Sequence, residues 1–286
     1  MCWREAFVDD AVSGVYELAT SGESIQLLLA ESKGGLHRAW EAAGFTRKDL
    51  REAGHNLNLS GNSAVDDISP LAALTQLKRL SLAGLKRVSD FSVLSCLKQL
   101  EELNLEECVG LEDVGIVNRC RRLRAFNIGK CSKVRSFDAI ASLKNVTILK
   151  LPSCGTFDSL QPIGALSKLE ELILDGLSVP VNFSYLQKCP ALKTLVINGT
   201  ATVQDLSPIA QLKELRSLHL HEFPGETDIS PFVESNAIRN ICLGGTSLDV
   251  IPTELQARGI VDSPERTRVA RKSLRARRVV SASATN

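Results

Sequence analysis

Apolar residues two apart recur along this chain at a constant interval. The pairs are Leu57/Leu59, Leu80/Leu82, Leu103/Leu105, Phe126/Ile128, Leu149/Leu151, Leu172/Leu174, Leu195/Ile197, Leu218/Leu220 and Ile241/Leu243, each 23 residues after the last. Two apolar residues flanking a single position mark a strand with one buried face, so the pattern predicts nine strands. Other columns keep the same step. Eleven residues after the first apolar position come Ile68, Phe91, Val114, Phe137, Leu160, Phe183, Leu206 and Ile229, and twenty after it come Leu77, Leu100, Leu123, Val146, Leu169, Leu192, Leu215 and Ile238. Agreement of several columns over nine units defines an internal repeat.

Between the strands lies a return segment with its own start signal. Asp67, Asp90, Asp113, Asn182, Asp205 and Asp228 share a column, Ser69, Ser92, Ser184, Ser207 and Ser230 follow two residues on, and Pro70, Pro208 and Pro231 come next. Ser as N-cap with Pro in the first turn predicts a short helix or 3₁₀ turn. The fold expected is an α/β solenoid of about nine 23-residue units. A parallel β-sheet forms its concave face and the short helices or 3₁₀ turns its convex face. One unit cannot bury enough apolar surface to offset the entropy of ordering it, so the units must stack and the ends need covers. Residues 1–54 lose the repeat and read as a helical N-terminal cap. Residues 55–261 are the solenoid, with "DVIPTELQARGI" as a final helical cap, and residues 262–286 form a basic, disordered tail.

The 23-residue period, with "L-x-L-x-x-C" columns and "D-x-S-P-L" return segments, resembles the internalin-like and phosphatase-regulator branch of leucine-rich repeats, and in look the arrays of trypanosomatid leucine-rich-repeat proteins. The resemblance spans about residues 55–252. It implies a binding scaffold and leaves the partner open. Some trypanosomatid arrays carry a RING finger, but its cysteine-histidine pattern is missing from this sequence, so ubiquitin-ligase activity is not implied.

Composition changes this picture little. The chain has 286 residues, 44% hydrophobic and 23% charged, with a formal net charge of +1. Asp9, Asp10 and Glu17 interrupt the N-terminal stretch where a secretory signal needs an apolar core, and no long apolar run suggests a membrane span. Eight cysteines without an export signal read as thiols, which places the protein inside the cell, in the cytoplasm, with the basic tail also compatible with the nucleus. Seven of the 34 basic residues fall in residues 262–286. That tail has no aromatic residue, which disfavours single-strand nucleic-acid recognition and leaves a disordered segment, an import signal, a docking peptide or phosphate binding as its readings. Nucleic acid is therefore only a secondary partner class.

Cysteines raise the question of chemistry. Cys108, Cys131 and Cys154 are each 23 residues apart, in the column that holds Asn62 and Thr200, and Cys120 and Cys189 stand in a leucine column. The repeat accounts for the spacing, so these are core residues, and no close pair of the C-x-x-C kind is present to hold zinc. A sharper cluster lies at the far end, where in-register pairing brings Cys242 beside His219, with His221 two residues on. It reads as a polar contact surface, a two-histidine, one-cysteine metal site or a Cys-His dyad. Along the remaining outward positions stand Glu102, Asn104, Glu106, Asn127, Ile148, Lys150, Glu171, Ile173, Asp175, Val196 and Asn198. The third and sixth units read as acidic, and Ile173 with Val196 as an apolar pair. Mixed apolar and charged residues on an otherwise uncovered sheet predict a protein-binding face. With no convergent catalytic set and no cofactor motif, the reading is a non-enzymatic scaffold or adaptor that binds a protein partner, a role compatible with membership of a larger complex.

Overall fold

A computed structural model describes residues 55–61, 65–152, 159–176, 182–199, 205–223, 226–246 and 248–262. The expected N-terminal cap (1–54), Cys154 and the tail from residue 263 onward lie outside the described residues. Ten strands form one parallel sheet in chain order: β1 (Asn56–Asn58), β2 (Arg79–Ser81), β3 (Glu102–Asn104), β4 (Ala125–Asn127), β5 (Ile148–Pro152), β6 (Glu171–Asp175), β7 (Thr194–Asn198), β8 (Ser217–His221), β9 (Asn240–Cys242) and β10 (Val261–Asp262). From β1 to β9 each residue pairs with its equivalent one repeat further on, as in Leu57 with Leu80 and His219 with Cys242. The repeat interval is thus the ladder register itself.

Return segments run as 3₁₀ turns, such as Ser69–Ala73 and Phe183–Lys188, and as one α-helical turn, Ser207–Ala210. Their start differs from the expectation in one respect. Ser is the first residue of the turn, and the side chain that accepts the backbone N–H lies two residues before it: Asp67 from Ser69, Asp90 from Ser92 and Asp228 from Ser230, all at 2.8 Å. Ser136 and Ser159 do the same with hydroxyl oxygens at 3.1 Å. A short acidic side chain two residues upstream reaches that amide without bending the backbone, so the Asp column is the cap. Ser belongs to the turn itself.

The apolar columns from strand and return segment meet in one continuous core, with Phe126, Phe137, Phe183 and Phe232 among its largest fully buried side chains. Strands touch strands and return turns touch return turns, each against its sequence neighbours. That contact pattern is what makes the repeats depend on one another.

A second column holds the turn that leaves each strand. Gly61, Gly84, Glu107, Lys130, Gly176, Gly199, Glu222 and Gly245 all have φ between 57° and 77° and occupy equivalent positions in their repeats. Glycine takes this left-handed conformation without penalty, whereas Glu107, Lys130 and Glu222 hold it at a conformational cost.

The C-terminal end contains a strand that the periodicity hid. Helix Thr253–Ala257 occupies the expected cap segment, and the chain then re-enters the sheet as β10. Val261 pairs with Ile241, a step shorter than the full repeat, so the repeat ruler passes over it. Just before β10, the Arg258 guanidinium donates to the carbonyls of Phe232, Val233, Ser235 and Ile238 at 2.7–3.3 Å, closing the open end of the last return turn. No described helix is long and apolar enough to cross a membrane.

Candidate functional site

Two sets of residues were candidates for function, the buried cysteines and the outer face of the sheet. Cys108, Cys120, Cys131 and Cys189 are fully buried in the core, as expected. Each also makes a contact that the sequence did not disclose. Cys108 donates to Leu82 O at 3.2 Å, Cys131 to Leu105 O at 3.1 Å, Cys120 to Leu94 O at 3.4 Å and Cys189 to Ile163 O at 3.4 Å. Every acceptor lies 26 residues upstream, one repeat plus three. Thr246, in the column of Cys108 and Cys131, bonds Leu220 O at 3.1 Å over the same interval. The Leu82, Leu94, Leu105 and Ile163 carbonyls already accept the backbone amides of Leu85, Leu97, Cys108 and Leu166, so each thiol is a second donor that ties the carbonyl to the next repeat. Burial pushes the Cys108 thiol up to about 12 and those of Cys120 and Cys189 up to about 11. Such thiols are poor nucleophiles.

The outer face alternates with the core face as predicted, but its residues are less open than expected. Glu102, Glu106, Ile148, Glu171, Asp175, Val196 and His219 are half-buried, while Asn104, Asn127, Lys150, Ile173, Asn198 and His221 are buried. The reasons are local. Asn104 and Asn127 fold back to accept the amides of Glu106 and Gly129 at 3.0 Å, so they cap the strand ends instead of projecting. Ile173, 7% exposed, is flanked in register by Lys150 and Val196. The Lys150 ammonium lies 3.9 Å from the Glu171 carboxylate. Burial lowers the pKa of Lys150 and raises that of Glu171, each partly countered by the other's charge.

The acidic character of the third unit is also neutralised. Lys78 lies 3.9 Å from Glu101, Arg79 3.0 Å from Glu102, and Lys130 3.0 Å from Glu106 and 3.2 Å from Glu107. In the sixth unit Lys193 meets Glu170 at 2.8 Å. The carboxylates of one repeat are matched by cations of the next or the previous one, so they tie neighbours together more than they present negative charge.

At the C-terminal end His219, His221 and Cys242 come together, as register predicted, with one ligand atom from each within 4.8 Å of the others. The two imidazoles stack at 5.9 Å with an 18° tilt. His219 Nε2 lies 2.9 Å from Ser217 Oγ. His221 Nδ1 lies 3.2 Å from Gly244 O. A carbonyl only accepts, so His221 Nδ1 carries the proton and Nε2 of the neutral ring keeps its lone pair. Gly244 is required here, because a β-carbon at that position would overlap the His221 ring. Burial lowers the pKa of both histidines; His221 lowers that of His219 further, and Gly244 O, Glu222 and Asp175 work the other way on His221. Burial thus favours the neutral form of both rings. Gly244 and Glu222 escaped the sequence reading, although Gly244 stands beside the strand-exit column.

This architecture, an uninterrupted parallel ladder with one return turn per repeat, is the leucine-rich-repeat fold. Residues 36–142 match the family model of the leucine-rich-repeat domain of the endo-β-N-acetylglucosaminidase EndoS. Among solved structures, internalin C2 of Listeria monocytogenes is similar at 22% identity and a TM-score of 0.61, covering 71% of this chain and 89% of that one. A second Listeria monocytogenes internalin (inlF) is 22% identical with a TM-score of 0.51, over 71% of this chain and 63% of that one. A leucine-rich-repeat protein of Leptospira interrogans is 18% identical with a TM-score of 0.50, over 80% and 72%. At these identities the likeness is one of fold. No curated protein sequence matches the chain.

Proposed function

We propose that this protein is a non-catalytic interaction module, a scaffold or adaptor that binds a protein partner on the outer face of its sheet, inside the cell and in the cytoplasm. The observation that supports it is a ten-stranded sheet whose outer face has no described element packed broadly across it. Leucine-rich repeats serve widely as protein-binding scaffolds of this shape. Seven of the thirteen outward residues are half-buried, and five of these lie together on β5–β8: Ile148, Glu171, Asp175, Val196 and His219. Ile148 and Val196 are apolar there, and a contact patch centred on them would be rimmed by Glu171 and Asp175, an arrangement of apolar centre and polar edge that suits a protein partner.

The test is affinity capture with quantitative mass spectrometry, using wild type, Ile148→Arg with Val196→Arg, and Val250→Arg as a control at an exposed position away from β5–β8. Partners captured by wild type and control but lost by the double variant support the face. Equal capture by all three moves binding elsewhere.

A further inference from the structure

Beyond the partner-binding reading, we propose that His219, His221 and Cys242 form a binding site for a zinc-class transition-metal ion, joining β8 to β9 near the C-terminal end of the sheet. The donor set is two imidazole nitrogens and one thiolate, a combination that borderline-soft divalent ions favour over magnesium or calcium.

Four observations support it. First, His219 and Cys242 are paired across the ladder, and His221 lies two residues along the same strand, so the backbone already delivers all three to one spot. Their ligand atoms stand within 4.8 Å of one another. Metal–ligand bonds of about 2.0–2.3 Å in a tetrahedron require separations of about 3.3–3.8 Å. Side-chain rotation of about an ångström closes that gap without moving a strand. Second, Gly244 O holds the proton on His221 Nδ1 and turns Nε2 out as a lone-pair donor, the outer hydrogen bond typical of metal-binding histidines. Third, the lack of a side chain at Gly244 is what leaves space for that ring. Fourth, Asn198 is the ladder partner of His221, and its Oδ1 is buried with no hydrogen-bond partner among the described residues. An oxygen acceptor stranded in this way is unfavourable unless a ligand meets it, and it supplies a candidate fourth donor. Asp175 pairs with Asn198 on the other side, and Glu222 follows His221 directly, so two carboxylates lie near to balance the charge of a divalent ion.

The ion's effect would be mechanical. Among the described residues the sheet continues past β9 only as the short strand β10, and a bond from Cys242 to the β8 histidines would pin this end of the ladder.

Untagged full-length protein, stripped of metal by a chelator, is titrated with cobalt(II) and followed by absorption. The expected result is one equivalent bound, with a thiolate-to-cobalt charge-transfer band in the near ultraviolet and the strong ligand-field bands of a tetrahedral site, both bleached by zinc. Cys242→Ser should remove the charge-transfer band, His221→Gln should weaken binding at least tenfold, and Cys96→Ser, at an exposed cysteine, should match wild type. Absence of the band in wild type at stoichiometric cobalt overturns the proposal. So does its survival in Cys242→Ser or its loss in Cys96→Ser. Should Cys242→Ser fail to fold, alkylation of the wild-type chain decides: zinc should slow labelling of Cys242 at least tenfold and leave Cys96 unchanged, and an unchanged Cys242 rate overturns the site.

Discussion

Thr246 offers the most direct test of the donors that cross from one repeat to the next. Its hydroxyl donates to Leu220 O at 3.1 Å and accepts from Phe223 N at 3.0 Å, and the residue is 1% exposed. Thr246→Val keeps the shape and removes both bonds, stranding one buried carbonyl and one buried amide. Each such group is worth about 1–3 kcal/mol. The two share one site and will not add fully, so the expected loss is about 3 kcal/mol. With a urea m-value of about 3 kcal/mol/M for a chain of this size, the unfolding midpoint should fall by about 1 M. Thr246→Ser keeps both bonds and gives up one buried methyl, a loss of about 1 kcal/mol. Valine should therefore be worse than serine, the reverse of a purely hydrophobic ranking. Because repeat arrays can open locally, amide exchange at Phe223 supplies a second reading and should accelerate in Thr246→Val alone. Valine as stable as wild type, or serine as damaging as valine, would refute the reasoning.

Three further outcomes follow from the same geometry. Gly244→Ala should displace the His221 ring, which its β-carbon would overlap, and destabilise the fold by about 1–3 kcal/mol; an unchanged imidazole tautomer and shift in NMR spectra would contradict it. Thiol labelling of native protein at pH 8 should be fast at exposed Cys96 and await unfolding at Cys108, Cys120 and Cys189, whose thiolate fractions at pKa values of about 11 to about 12 are about one in a thousand or less; native-state labelling of Cys108 at the Cys96 rate would refute the burial argument. The Lys130 hydrogen bond and charge hold the Glu107 carboxyl below its ordinary pKa. A depressed carboxyl stabilises the fold above its unfolded pKa and loses that contribution as pH falls through the folded one, so Lys130→Met should move the Glu107 titration upward in carbon NMR, and an unmoved titration would dismiss the pair.

The strands and core were legible because the ladder register and the sequence period are the same number. That identity also located Cys242 beside His219, since residues one period apart must be neighbours. Where the period changed, legibility stopped: β10 was missed because Val261 follows Ile241 by less than a full repeat. The left-handed column was visible as Gly61, Gly84, Gly176, Gly199 and Gly245, yet Glu107, Lys130 and Glu222 disguised it, since nothing in a glutamate announces a positive φ. Cap assignment failed by two residues because Ser and Asp are both good caps, and only geometry shows which one reaches the amide. Burial of the outer face was the least legible. Whether Asn104 projects or folds back onto the Glu106 amide depends on a side-chain torsion that no spacing records.

The identity of repeat period and ladder register also governs how this chain can change length. A whole repeat removed or duplicated in phase keeps every strand residue opposite its equivalent, so the ladder and the apolar columns still meet. A cut of any other length sets core-facing positions of one repeat against outward or turn positions of the next. The array therefore grows in whole increments, and the length of its outer face becomes something a gene can adjust in discrete steps.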